Sequence, residues 1–89
     1  MCVAGRDAEK IVTVLSGGNG YMLAHRGEES VNTDGKRHKL ETCDIHREGS
    51  FELIGQAEIL KSADDKPVML AFEIAATEIL VVSRIARAI

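Results

Sequence analysis

The stretch Pro67–Ile89, PVMLAFEIAATEILVVSRIARAI, is the most apolar part of this chain and governs the prediction of its fold. Pro67 suits the first position of a helix, because its missing N–H is not needed there. The polar side chains that follow it fall on one stripe of such a helix. They are Glu73, Thr77, Arg84 and Arg87. We therefore expect a long C-terminal helix, Pro67–Ala88, although the run Ile79–Val82 would also suit the start of a final strand.

The apolar side chains of that helix would surround most of its circumference, which is more than one sheet can cover. Leu80 would lie inside the polar stripe, where only a second chain could bury it. Because large exposed apolar patches are uncommon on monomers, we expect a two-fold homodimer through this helix. The predicted interface consists of Met69, Phe72, Ile79, Leu80, Val82 and Ile85.

Near the N-terminus, the sequence predicts one short helix, Asp7–Ser16. Asp7 suits the N-cap position, and Gly17 follows where a C-cap glycine belongs. The β-branched run Ile11–Val14 has weak helix propensity, which keeps a strand as the alternative. One face of the predicted helix is apolar and consists of Ala8, Ile11, Val12 and Leu15.

Four segments between the two helices are predicted to form an antiparallel sheet, because tight turns separate them. The Asp34-Gly35 pair is the strongest hairpin signal in the chain. Gly55 interrupts the last segment and marks a bulge or a close backbone approach. The four segments are Tyr21–Arg26, Glu29–Thr33, Lys36–Ile45 and Phe51–Leu60, and the inner face of the last is predicted to hold Phe51, Leu53, Ala57 and Ile59. The predicted fold is α+β with about four strands; an all-β roll is the alternative if both ends are strands.

The composition indicates one small domain spanning residues 1–89. The net charge of −3 opposes attraction to nucleic acid or to an anionic membrane surface. The two cysteines are too few for a disulfide framework, so we expect free thiols and a cytoplasmic location. The N-terminus has no signal-peptide pattern, and the charges of the C-terminal segment disfavour a membrane span.

A glycine-rich stretch is the first candidate binding site. Backbone N–H groups of such loops can approach a phosphate closely, usually at the start of a helix. The stretch lacks the glycine spacing of a dinucleotide fingerprint and the lysine of a P-loop, so a cap followed by a turn is the simpler interpretation. Its residues are Gly17, Gly18, Asn19 and Gly20.

Cys43 and His46 have a spacing found in some zinc sites. A structural zinc site needs four ligands, usually from two such pairs, and the chain offers one pair. In a strand, two residues at this spacing point to opposite faces of the sheet. The sequence therefore predicts no metal site, and Cys43 is expected to be a small buried side chain.

The only basic cluster follows the predicted hairpin turn. It has no neighbouring aromatic residue to stack on a base, and the whole molecule is acidic. We expect a solvated hairpin end that meets an acidic partner surface if it binds anything, and we do not expect nucleic acid. The cluster consists of Lys36, Arg37, His38 and Lys39.

No nucleophile and base stand in a recognised catalytic pattern, so an enzyme is not the leading expectation, and no cofactor is predicted. The leading hypothesis is a non-enzymatic interaction or regulatory module. It would self-associate through the C-terminal helix and bind a macromolecular partner by its polar sheet face or its hairpin tips. The alternatives are a small-ligand or phosphate-binding protein and a nucleic-acid accessory protein.

Overall fold

The computed structural model describes residues 1–89 and contains one five-stranded antiparallel sheet with two helices on one of its faces. The sheet order is β1-β5-β4-β3-β2. The fold is therefore of the α+β class, as the sequence predicts, with five strands instead of about four. In chain order the elements are β1 (Cys2–Ala4), α1 (Arg6–Leu15), β2 (Tyr21–Thr33), β3 (Lys36–Arg47), β4 (Leu53–Lys61), β5 (Pro67–Ile74) and α2 (Ala76–Arg87).

The C-terminal segment is where the sequence-based prediction is wrong. Its first part, Pro67–Ile74, is strand β5, and only Ala76–Arg87 is helical. β5 pairs with β4 on one side and with β1 on the other, so both rows of its backbone hydrogen-bonding groups are used. The alternation of a strand then buries Leu70 and Phe72 under the helices. Pro67 begins the strand, a position that tolerates its missing N–H as well as a helix start does.

The N-terminal elements also differ in detail from the prediction. Strand β1 was not expected, and it adds an edge to the sheet through antiparallel pairing of Cys2 with Ala71. Helix α1 begins at Arg6 after Gly5, whose φ of 61° suits glycine, so Asp7 lies in the first turn and is not the N-cap. The C-terminal end agrees with the prediction, since Gly17 directly follows the C-cap residue. The buried face of α1 is Ala8, Ile11, Val14 and Leu15.

Strands β2 and β3 form a long hairpin that extends beyond the helices. The predicted turn at Asp34-Gly35 is confirmed, with positive φ angles of 53° and 73° at the two residues that separate the strands. β2 is one continuous strand where two pieces were expected, and a bulge between His25 and Gly27 lies at the predicted gap. The side of the hairpin that faces the helices ends in ion pairs, among them Lys39 with Glu28.

The side chains alternate between a covered face, which packs against α1 and α2, and an open face with no layer on it. The prediction that Phe51 and Leu53 face inward is wrong. Phe51 lies before β4 and is 98% exposed. The register pairs Ile45 with Gly55 and the next residue with Leu53, so the extra residue between them moves Leu53 to the open face. The covered face holds Tyr21, Cys43, Ile45, Ala57, Ile59, Leu70 and Phe72.

Gly55 is a position where the fold tolerates no side chain. An added Cβ would clash with the carbonyl oxygen of Glu73 and lie 2.9 Å from Cα of Ile74 on β5. We therefore expect Gly55→Ala to lower the free energy of unfolding by about 3 kcal/mol, at the upper end of overpacking costs. Gly27→Ala is the matched control, because a Cβ there meets nothing within 4 Å, and it should stay within about 0.5 kcal/mol of the wild type. Urea denaturation measures both, and equal effects of the two changes would contradict this account.

Candidate functional site

An apolar hollow lies on the open face, where three adjacent strands bring aliphatic side chains together. Leu40 on β3 is the register partner of Leu60 on β4, which is in turn the partner of Met69 on β5. The hollow has a volume of about 200 Å³, and Cys2 and Ala71 complete one side of it. Met69 is 49% exposed. We call this the open-face hollow.

Carboxylates border the open-face hollow. Glu58 lines it directly, and Glu29 is the register partner of Leu40. An adjoining hollow is lined by Glu58, Glu73 and Met1, whose terminal ammonium donates to the Phe72 carbonyl at 3.0 Å. None of these three carboxylates forms an ion pair within the chain. The surface therefore combines exposed apolar area with three carboxylates that form no ion pair, and the Met1 ammonium is the one cation that lines the adjoining hollow.

A second group of exposed apolar side chains lies at the other end of the open face. Met22 and Leu53 are 40% and 54% exposed, and Phe51, two residues before β4, is 98% exposed. The carboxylate in this region, Glu52, is held by Arg47 at 3.3 Å. The hollow beside Leu53 is also lined by Glu73, so this corner is apolar and has one unpaired carboxylate at its border.

Helix α2 presents an exposed stripe of a different character on the opposite side of the molecule. Leu80 and Val81 are 68% and 43% exposed. Arg84 and Arg87 are also exposed, lie on the same side of the helix, and form no ion pair. The only carboxylate on α2 is Glu78, which is buried. The outer stripe of α2 is therefore apolar and basic.

A buried carboxylate fixes α2 on the sheet. The Tyr21 hydroxyl donates to one oxygen of Glu78 at 2.6 Å, and the Arg47 guanidinium donates to the other at 2.5 Å. Together the two donors hold the pKa of Glu78 below its usual range, with Tyr21 as the larger cause. Burial, with the hydrogen bond to Glu78 as a second cause, raises the pKa of Tyr21 to about 12. The network joins α2 to β2 and β3 at the point where each strand begins or ends.

This network has a structural role, because both oxygens of Glu78 are occupied by the protein itself. The side chain is also only 7% exposed, so a substrate has little access to it. No motif in the sequence predicts it. The available signals were Tyr21, the single tyrosine, and an acidic residue that falls on the otherwise apolar inner side of α2. By fixing α2, the network also fixes the direction in which its exposed stripe points.

The glycine-rich stretch Gly17–Gly20 follows α1, so it meets the C-terminal end of a helix. The carbonyl groups at that end carry negative partial charge, which repels a phosphate. The Gly20 N–H donates to the Glu48 carboxylate, which holds the loop against the β3–β4 turn. Positive φ angles at Gly17, Gly18 and Gly20 account for the glycines as turn residues.

The Cys43–His46 pair is divided between the two faces of β3. Cys43 is buried on the covered face, where its thiol donates to Glu41. His46 lies on the open face between its register partners Met22 and Leu53. The two side chains therefore do not converge on a common point.

The basic cluster is also divided. It lies at the far end of the hairpin, where Lys36 and His38 share one face and Arg37 and Lys39 share the other. The Lys39 ammonium is 3.9 Å from the Glu28 carboxylate. The cluster therefore forms no single basic surface.

The six residues predicted as a helical interface lie in four different environments. Phe72 and Val82 are 5% and 1% exposed, within the core of the chain itself, which removes them from the predicted interface. Ile79 and Ile85 are half-buried along the inner edge of α2. Met69 lies in the open-face hollow because residues 67–74 form a strand, and Leu80 alone stands on the outer stripe.

Comparisons with models of known protein families, with curated proteins and with solved structures find no match to this chain. Neither helix has the length and apolarity needed to cross a membrane. The surfaces of the molecule itself are therefore the basis for inferring its function.

The buried network makes stability depend on pH in a defined direction. Because the folded pKa of Glu78 is below its unfolded value of about 4.3, the network stabilises the fold above that pH and loses this contribution as pH falls through the folded pKa. Tyr21→Phe removes the hydrogen bond to a charged group and should cost about 1.5–3 kcal/mol at pH 7. Thermal or urea unfolding at pH 7 and at acid pH measures the difference. A cost that is equal at both pH values would refute the proposed coupling.

The two thiols should differ sharply in reactivity. Burial and the hydrogen bond to Glu41 raise the pKa of Cys43 to about 12, whereas Cys2 is exposed on an edge strand. At pH 8 we expect one thiol of the native chain to react promptly with a disulfide reagent and the other only after unfolding. Cys2→Ser should remove the prompt reaction. If both thiols of the native wild type reacted with the reagent at the same rate, Cys43 could not be buried.

Proposed function

We propose that this protein is a non-enzymatic interaction module whose open sheet face binds a basic amphipathic segment of a partner protein. The observation that carries the proposal is the open-face hollow, an exposed apolar surface bordered by carboxylates that form no ion pair within the chain. A partner side chain the size of leucine would gain roughly 1.5–3 kcal/mol from full burial there. Basic residues beside it would meet the carboxylates, which set orientation and association rate.

The corner formed by Phe51 and Leu53 is the weaker candidate for this role. Its exposed apolar side chains favour contact with another protein. Arg47 neutralises Glu52 there, so Glu73 is the one unpaired carboxylate that borders this corner. The open-face hollow offers both apolar area and charge selectivity, which is the combination that a specific surface needs.

The two alternative functions receive no such support. A phosphate at Gly17–Gly20 would meet the carbonyl end of α1 and the Glu48 carboxylate. Nucleic acid at Lys36–Lys39 would meet basic side chains that point to two different faces of the hairpin. The open face has the opposite charge to the one that either ligand requires.

A titration with a synthetic amphipathic peptide tests the proposal. The probe is a short helix-forming peptide with leucines on one side and lysines flanking them. Followed by amide chemical shifts, it should perturb Leu40, Leu60 and Met69 and leave Phe51 unchanged, and added salt should weaken the effect because the charges are exposed. The same peptide with glutamates in place of the lysines is the matched control and should not bind.

Leu60→Asp should abolish the peptide effect, because it places another carboxylate in the hollow in place of the apolar side chain. Its position at a half-exposed site of the open face leaves the covered core untouched. Binding that is equal for the lysine and glutamate peptides, or that shifts only residues outside the hollow, would overturn the proposal.

A further inference from the structure

We infer that the basic amphipathic segment is helix α2 of a second copy of this chain, so that the molecules associate head to tail. The inference rests on the proposed function and names its partner. One copy offers the open-face hollow, and the next copy offers the outer stripe of α2. Each surface supplies what the other lacks.

The chemical match is between apolar groups at the centre and opposite charges around them. Leu80, 68% exposed, has no cover within its own chain. Arg84 and Arg87 form no ion pair within the chain, and neither do Glu58 and Glu73. Docking α2 on the hollow of the next copy buries Leu80 and brings the two arginines to the two glutamates.

The dimensions agree as well. A helix of 12 residues is about 18 Å long, which is close to the width of four strands at about 4.8 Å spacing. The open-face hollow and its carboxylates occupy β3, β4 and β5, with β1 at the edge. The exposed side of α2 can therefore lie across these strands along its whole length.

The two surfaces lie on opposite sides of the sheet, because α2 covers one face and the hollow lies on the other. One partner cannot occupy both at once. The contact is therefore heterologous, and each added copy leaves one hollow and one helix free for the next. Association should continue past two chains as concentration rises.

A symmetric contact of α2 against α2, the dimer predicted from the sequence, explains the observations less well. It would cover Leu80, but it would bring together four arginines and no exposed carboxylate of α2, because Glu78 is buried in each copy. The exposed carboxylate that lines a depression with Arg87 is Asp7 of α1. The open-face carboxylates would remain unpaired in such a dimer. Head-to-tail docking satisfies both sets of charges.

Sedimentation velocity and light scattering from micromolar to millimolar concentration test the inference on the full chain. The wild type should reach an average mass above twice that of the chain, with association weakened by salt. Two charge-reversal variants, Arg84→Glu with Arg87→Glu and Glu58→Lys with Glu73→Lys, should each be monomeric. A mixture of the two should recover association, because every contact in alternating order is again between opposite charges.

The mixture also shows that both variants are folded, since only folded chains present these surfaces. Wild type that stays monomeric at every concentration overturns the inference, and so does a mass that stops at two chains and is unchanged by Glu58→Lys with Glu73→Lys. In either case, binding of the lysine peptide to the hollow would still support the proposed function. Absence of peptide binding would contradict both the proposed function and the head-to-tail inference.

Discussion

The pairing of β5 on both of its edges is the constraint on which the rest of this molecule depends. β4 pairs with β5 from Pro67 to Ile74 and β1 pairs with it from Met69 to Ala71, and this places Leu70 and Phe72 in the core. The same pairing directs Met69 and Glu73 to the open face, next to Leu60 and Glu58. Without β5 as a strand, the hollow and its neighbouring carboxylates would not exist. Gly55 permits this pairing, because any side chain there would push β4 and β5 apart.

The position of β5 also determines where α2 packs and which of its sides is exposed. Only Ala75 separates the two elements, so α2 turns back directly over the covered face and packs against α1. The Glu78 network then fixes its rotation, with Val82 and Ala86 inward and the apolar and basic stripe outward. Two surfaces of complementary chemistry consequently face in opposite directions on one small domain. That arrangement is the physical basis for both proposals.

The local features of the fold were readable from the sequence where short-range chemistry decides them. The pair Asp34-Gly35 predicted the hairpin turn correctly, because few residue pairs accept two positive φ angles. Gly17 predicted the end of α1 correctly, because glycine accepts the positive φ angle that often follows a helix. The opposite orientations of Cys43 and His46 followed from strand alternation alone. The inward prediction for Leu53 failed because one extra residue in β4 reverses the alternation, and the sequence does not mark where such a bulge falls.

By itself, the sequence determined the α+β class, the hairpin, and the presence of an exposed leucine at position 80. The tertiary structure decided the rest, because an apolar run such as residues 67–74 satisfies the periodicity of either a helix or a strand. The choice depends on whether neighbouring strands are present to pair with it, and those neighbours are distant in the chain. The candidate site follows the same logic: Cys2, Leu40, Leu60 and Met69 are scattered in sequence and share no motif. They become one surface only when backbone pairing sets them side by side.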